Sequence, residues 1–361
     1  MRFVFKLIFR VILPLGISGL CIWLSLRNAD LRAVGAAIAA ADPRRLVVYA
    51  LLLLVIHLVR TVRWGILLEP LGHVGFKRLN SASAVGYMLL ILLPLRLGEF
   101  ARPLLIARPP PGRGVRLSRS GALASIVVER IVDGIAIGVL GVVALRLLGD
   151  SARGVYAVHA RRAAVLVALG FFSLCIALVF AFLFRERALA LARALLTPFS
   201  PKLSSRATEV LEAFISALHL GSGWKVLGFF ALTAIYWFLN GLGLALLAPA
   251  FGFNGLLPMM LATILTIQVV GVMVPAGPGM VGTMQFFTQA GLSLFVTGAL
   301  SDPAISARAA GYANTIWMLQ FGVQVGLGAI FLLVGHVSLK GLFGSAAPEA
   351  QSEREPAVAV P

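Results

Sequence analysis

Arginine and carboxylate side chains occur inside two apolar stretches of this sequence, where ionisable groups are costly unless they face protein or water. The first stretch, PLRLGEFARP, contains Arg96, Glu99 and Arg102. The second carries Glu129 and Asp133 four residues apart, so both carboxylates lie on one face of a helix. Guanidinium groups bind phosphate through paired hydrogen bonds, and these residues therefore predict a buried site for a phosphate-bearing ligand.

A third element adds basic residues to the predicted site. The apolar stretch 46–67 contains Arg60 and Arg63, and with them five arginines in these three elements stand against three acids. The unpaired positive charge favours an anionic ligand. Two alternatives stay open at this point. Arg60, Arg63 and Arg102 are long enough to reach the membrane surface. The charges around Glu129 also suit an ion-pair network that only holds helices together.

A second helix break, VPAGPGMVG, lies 181 residues after the first and aligns Pro275 with Pro94. The same shift aligns Gly279 with Gly98. Broken helices at corresponding positions in two halves of a chain point to the binding site of a transporter. Glycine amides and the N-terminus of a helix that starts after Gly279 would face an anion. Ordinary packing of small and polar residues between membrane helices is the alternative.

Both breaks therefore contribute to one predicted site for substrate binding and translocation. The residues assigned to it are Arg60, Arg96, Gly98, Glu99, Arg102, Glu129, Arg130, Asp133, Pro275, Gly279, Gln285 and Asn314. The sequence has no Walker A, GxSxG or HExxH motif and no cluster of Cys and His. We therefore expect no catalytic residue, no metal site and no cofactor.

The composition is that of a membrane protein. Hydrophobic residues make up 60% of the 361 positions, charged residues only 12%, and the mean hydropathy is +0.96. So few charges could not cover the surface of a soluble protein. The net charge of +17 comes from basic residues between hydrophobic spans, which suits anionic lipid head groups and not nucleic acid.

The hydrophobic pattern predicts an all-α polytopic membrane protein with about six spanning helices and two re-entrant hairpins. Each span needs roughly 20 apolar residues. The predicted spans are 5–26, 46–67, 121–148, 163–184, 225–248 and 307–334. The predicted hairpins occupy 80–106 and 258–298, and each is interrupted by proline and glycine.

Loop charges predict the topology, because Lys and Arg favour the cytoplasmic side. They place both termini in the cytoplasm. From the helix at 46–67 to its counterpart at 225–248 the chain crosses three times, so the second of the pseudo-repeats 46–148 and 225–334 is inverted relative to the first. We expect one transmembrane domain, residues 1–340, with a cytoplasmic amphipathic loop at 186–222. A disordered cytoplasmic tail is expected at 341–361.

Three strings resemble the integral-membrane family of the lysylphosphatidylglycerol synthase transmembrane region, which is also called flippase-like. They are PLRLGEFAR at 94–102, ERIVD at 129–133 and PAGPGMVGT at 275–283. The resemblance covers nearly the whole chain, but the aminoacyl transferase domain of the synthases has no counterpart here. Many members carry an acid where this chain has Gln285, so a proton-coupled role for that position is not implied.

The resemblance implies a stand-alone lipid translocase or lipid-export accessory of a bacterial inner membrane. Its cargo would be a phospholipid or an isoprenoid-type lipid, and its partners would be membrane lipids and a lipid-biosynthesis enzyme. Two other hypotheses remain. The chain could be a membrane-embedded head-group transferase that uses its carboxylates as bases or metal ligands. It could also be a scaffold of a lipid-synthesis complex.

Overall fold

Helices account for every regular element that the structure describes. The computed structural model describes residues 11–93, 98–107, 117–148, 183–198 and 223–334, with single positions between 165 and 212. The described helices are α1 (Leu13–Leu26), α2 (Leu31–Ala39), α3 (Pro43–Leu68), α4 (Phe76–Leu92), α5 (Ala101–Ala107), α6 (Arg119–Leu148), α7 (Arg185–Leu196), α8 (Gly223–Leu247), α9 (Pro258–Val272), α10 (Thr283–Leu292) and α11 (Pro303–Leu333). The predicted all-α class is confirmed.

Four of these helices are long and apolar enough to cross a membrane, and they coincide with four predicted spans. With the turns that continue them, they are Pro43–Leu71, Arg119–Leu148, Gly223–Phe251 and Pro303–Leu333. The predicted span 5–26 is described only from residue 11. The predicted span 163–184 and the tail 341–361 lie outside the continuously described residues, as does most of the loop 186–222 beyond α7.

Aspartate and proline start two of the spanning helices earlier than the sequence analysis predicted. The Asp42 carboxylate accepts a hydrogen bond from Arg44 N at 2.9 Å, and Pro43 is the first helical residue. Asp302 accepts from the amides of Ala304 and Ile305 in the same way. Such caps satisfy backbone donors that a helix leaves unpaired, so each helix extends beyond its apolar run.

The first helix break produces a hairpin, α4 with α5, whose two arms pack antiparallel. Arg78 near the start of α4 donates to the Ile106 carbonyl at 2.6 Å. Gly86 in the middle of α4 faces the Arg102 side chain, whose Cγ occupies the space that a Cβ would need. At the other end, Gly98 lies against the backbone of Leu89 and Leu90. We call α4 and α5 the first hairpin.

The second break produces a hairpin of the same kind, α9 with α10. Gln268 of α9 donates to Thr288 of α10 at 2.8 Å, and Gly291 packs on the backbone of Ile264. The element order from α3 to α6 is thus repeated from α8 to α11: a long helix, a hairpin of two shorter helices, and a second long helix. We call α9 and α10 the second hairpin.

The two halves pack through their first helices, α3 and α8, which run antiparallel. Arg45 at the start of α3 donates to the Leu246 carbonyl at the end of α8. At the opposite end of the pair, Glu69 binds Lys225 at 2.7 Å. The other contacts are reciprocal, because the hairpin arm α4 packs on α11 and the corresponding arm α9 packs on α6. Two copies of one unit related by a pseudo-twofold axis would pack in this way.

We predict that Gly98→Ala destabilises the protein by roughly 1–3 kcal/mol, because a Cβ at this position collides with the main chain of α4. Thermal unfolding of the purified protein in detergent measures the loss. Gly326→Ala in α11 is the matched control, since nothing lies within 4 Å of a Cβ there. Equal midpoints for the two variants would contradict the close packing of the first hairpin.

Candidate functional site

Arg63 lies at the centre of a group of buried charges between α3 and α6. Its Nη2 donates to Glu129 Oε1 at 3.0 Å, and its Nη1 donates to Asp133 Oδ1 at 2.5 Å. The Arg63 side chain is fully buried, and its Nη1 also contacts Thr233 of α8 at 3.4 Å. One guanidinium therefore ties together three helices, and the four-residue spacing of the two acids lets one fork bind both.

Glu129 accepts hydrogen bonds from two further arginines. Arg102 of the first hairpin donates from Nη1 at 3.2 Å, and Arg130 donates from Nη2 at 2.8 Å. Arg130 also lies 3.3 Å from Asp133. The first hairpin is thus attached to α6 by an ion pair that is almost completely buried.

Aromatic rings stack on the guanidinium groups. The Arg102 guanidinium carbon lies 4.3 Å from the centroid of the Trp64 ring and 4.4 Å from that of the Tyr87 ring. Arg60 lies 3.5 Å from the centroid of the same Tyr87 ring. Cation–π contacts of this kind stabilise a charge that has lost its water. We call Arg60, Arg63, Arg102, Glu129, Arg130 and Asp133 the ion cluster.

The ion cluster has more donors than acceptors among the described residues. Buried nitrogen atoms without a hydrogen-bond partner there are Arg60 Nε, Arg63 Nε, Arg130 Nε and both Nε and Nη2 of Arg102. Even with Glu99 included, four guanidinium groups face three carboxylates. An additional anion would bring both the charge and the hydrogen bonds closer to balance.

A small cavity of about 10 Å³ lies beside the ion cluster. Tyr87, Glu99, Arg102 and Arg130 are among its lining residues. A space of this size holds about one water molecule, so no lipid head group fits beside the ion cluster in this structure. Elsewhere in the described part of the chain, as here, no three His, Cys, Asp or Glu side chains are grouped to hold a metal ion.

The structure brings together most of the residues predicted for the first half of the site. Arg60, Arg102, Glu129, Arg130 and Asp133 form the ion cluster, Glu99 lines the adjoining cavity, and Gly98 fixes the hairpin next to it. Arg96 lies outside the described residues.

Arg63 was left out of the predicted site because its length also suited a position at the membrane surface. The structure places it at the centre, with no exposed side-chain area. The available clue was its spacing: Arg60 and Arg63 are three residues apart, so they share a helix face. The acids that bind it are 66 and 70 residues away, which local sequence patterns do not reveal.

The predicted residues of the second half make local contacts. Gln285 accepts from Gly282 N at 2.8 Å, and Asn314 donates to the Ala310 carbonyl of its own helix. The Gly279 carbonyl accepts from Trp317 at 2.7 Å, while Pro275 is exposed. These contacts match the packing alternative for the second hairpin.

The helix after Gly279 begins only at Thr283, and helix α1 packs on its N-terminus. Gly282, with φ of +88°, lies so close to the Ser18 carbonyl that a Cβ would collide with it. Ser18 Oγ also accepts from Gly277 N at 2.9 Å. Helix α1 thus occupies the place beside the glycine amides where the sequence predicted an anion.

One comparison with known proteins gives a match. The family model described as lysylphosphatidylglycerol synthase TM region matches residues 11–321, which include the ion cluster and both hairpins. No curated protein and no solved structure matches the chain.

We predict that Arg63→Ala lowers the free energy of unfolding by about 3–5 kcal/mol, because it leaves two buried carboxylates short of a partner. Lys225→Ala is the control, because its ion pair with Glu69 is more than two-fifths exposed at both side chains and contributes about 0–1 kcal/mol. Unfolding in detergent under identical conditions compares the two. A loss no larger for Arg63→Ala than for Lys225→Ala would show that the ion cluster does not hold α3 to α6.

Proposed function

The chain belongs to the family of the lysylphosphatidylglycerol synthase transmembrane region, and we propose that it moves a phosphate-bearing lipid between the leaflets of a bacterial inner membrane. The family suggests a function in a membrane that involves lipids. The cargo would be a phospholipid or an isoprenoid-type lipid with a phosphate in its head group. The ion cluster would bind that phosphate during passage.

The observation that supports this proposal most strongly is that Arg102 has unused hydrogen-bond donors. Its Nε and Nη2 are buried without a hydrogen-bond partner in the described part of the chain, while its Nη1 is held by Glu129. These atoms form one edge of a planar fork that suits two phosphate oxygens. A buried donor without an acceptor costs about 1–3 kcal/mol, so a ligand oxygen would supply the acceptor that these atoms lack.

Binding a head group requires the first hairpin to move, because the cavity beside Arg102 holds only about one water molecule. The hairpin is held by the Arg102–Glu129 pair and by the Gly98 contact with α4. A phosphate that binds Arg102 would compete with Glu129 for it and so weaken the Arg102–Glu129 pair. Binding and opening would thereby be coupled.

The antiparallel packing of α3 and α8 supports the inverted repeat predicted from the sequence. Two inverted units around a central site can expose it first to one side of the membrane and then to the other. The ion cluster suits such a position, since it joins α3, α5 and α6 of one unit to α8 of the other. We infer that rocking between the units alternates access to the phosphate.

The ion pairs favour transport over the head-group transferase hypothesis. A general base needs a carboxylate that can take up a proton from the substrate. Glu129 and Asp133 each accept hydrogen bonds from two or more arginine nitrogen atoms, so their oxygen atoms are already occupied. They are better suited to holding arginines in position for an anion.

We predict that proteoliposomes containing the protein move fluorescent phospholipid between leaflets and that Arg102→Lys slows this about tenfold or more. Lysine keeps the charge but loses the fork, and a charged hydrogen bond contributes about 1.5–3 kcal/mol. Dithionite added outside the vesicles bleaches only the outer leaflet, so the fraction bleached over time measures movement. Lys225→Gln, at an exposed ion pair, is the matched control.

A fluorescent glucosylceramide, which has no phosphate, tests the head-group chemistry in the same vesicles. We expect the protein to move it far more slowly than phospholipid, and Arg102→Lys to leave its rate unchanged. Equal rates for the two lipids would refute the phosphate site. No movement of any lipid by folded wild-type protein would refute translocation.

A further inference from the structure

An apolar groove of about 580 Å³ lies between α6, α8 and α9 and is separate from the small cavity at Arg102. Its volume is in the range of roughly 300–1,000 Å³ that is usual for ligand pockets. Alanine, valine, leucine and glycine residues form most of its walls, and Val139, Val143 and Phe238 at its margin are exposed. In a membrane these exposed residues face hydrocarbon, so the groove is open to the lipid phase.

The groove continues from the ion cluster along the same face of α6. Glu129 and Asp133 are followed by Ala136, Leu140 and Val143, at alternating steps of four and three residues. Residues with this spacing lie in one stripe along a helix. The stripe is charged at one end and lines the groove at the other, and the change occurs within one turn after Asp133.

Along α8, as along α6, residues that contact the ion cluster are followed by residues that line the groove. Thr233 contacts Arg63 of the ion cluster, and the next residues on this face, Trp237 and Gly241, line the groove. The lining residues of α8 extend from Ala234 to Ala245, a rise of about 16 Å. This is about half of the ~30 Å hydrocarbon core, which is the depth that one leaflet occupies.

Helix α9 forms the third wall of the groove. It has 15 residues and is about 22 Å long, too short to cross the hydrocarbon core. Its first residues, Pro258 and Met259, form one end of the groove. The lining residues of α9 continue to Leu265, so the first half of this helix runs alongside the groove.

One polar group in the groove wall has no partner. The indole nitrogen of Trp237 is buried and has no hydrogen-bond acceptor in the parts of the chain that the structure describes. Tryptophan N–H groups usually find an acceptor when they are buried. The nitrogen exposes almost no surface, so a lipid ester oxygen in the groove would reach it only after the side chain rotates.

We propose that this groove binds one hydrocarbon chain of the lipid whose phosphate lies at the ion cluster. The proposal rests on the proposed function and adds to it a site for the lipid tail. The charged and apolar ends of one stripe fit the two ends of an amphipathic molecule, and the length of the groove fits a chain that spans one leaflet. The tail would remain against α6, α8 and α9 while the head group occupies the ion cluster.

A phospholipid with a photoactivatable diazirine in the middle of one acyl chain tests the proposal in proteoliposomes. Labelled peptides from α6 and α8 are quantified by mass spectrometry as the mole fraction of the probe increases. We expect labelling of the groove residues to saturate, as binding to a site does. Labelling that stays proportional to the probe fraction, or that is absent from the groove, would overturn the proposal.

Two variants fill the groove and one control does not. Gly241→Leu and Ala234→Leu each place an isobutyl group in the recess, and nothing lies within 4 Å of a Cβ at Gly241. We expect each to lower labelling about tenfold, the loss for two displaced methylene groups. Gly322→Leu adds the same group at an equally open glycine of α11 and should leave labelling unchanged. Equal labelling in all three variants would overturn the proposal.

The dithionite assay on the same vesicles separates the tail site from the proposed function. Saturable labelling that Gly241→Leu abolishes, without any movement of lipid, would support the tail site and refute translocation. Lipid movement by wild-type protein whose groove is never labelled would refute the tail site and leave translocation standing.

Discussion

Arg63 carries a charge that is buried away from water, so neighbouring side chains must neutralise it. Several of the described helices meet at this residue. Its two carboxylate partners hold α3 against α6, and its contact with Thr233 reaches α8 of the second half. Glu129 also accepts a hydrogen bond from Arg102, and this bond attaches the first hairpin to α6 beside Arg63. Because the partners belong to different elements, a displacement of any one of them changes the ion pairing of the others.

Much of this arrangement could be predicted from the sequence, because membranes impose strong rules on composition and on charge. Proline and glycine at residues 94–98 and 275–279 indicated both helix breaks, and charges in apolar surroundings indicated Glu129 and Asp133. The partner of each charge was not predictable, since pairing across 66 or more residues depends on the packing of whole helices. For the same reason the sequence did not decide whether Arg63 is buried or reaches the membrane surface. No local sequence pattern indicated that α1 packs on the second hairpin.

The two halves share an element order but differ in chemistry. The first hairpin is charged and ends beside the ion cluster, whereas the second is closed by neutral hydrogen bonds, such as the one between Gln268 and Thr288. Helix α1 adds contacts from Ser18 to Gly277 and from Ser25 to Gln289, and it precedes the repeated units. Among the described residues, the second hairpin is therefore held to α1 by neutral hydrogen bonds, whereas the first is held to α6 by a buried ion pair.

The close contact between Gly86 and Arg102 limits the order in which this sequence can change during evolution. Any side chain at position 86 would compete with the Arg102 Cγ for the same space, so the glycine is required for as long as the arginine is present. A lineage that lost Arg102 would free position 86 to accept alanine or larger residues. Once it had done so, the arginine could return only together with a glycine at position 86, so restoring the charged hairpin would need two substitutions instead of one.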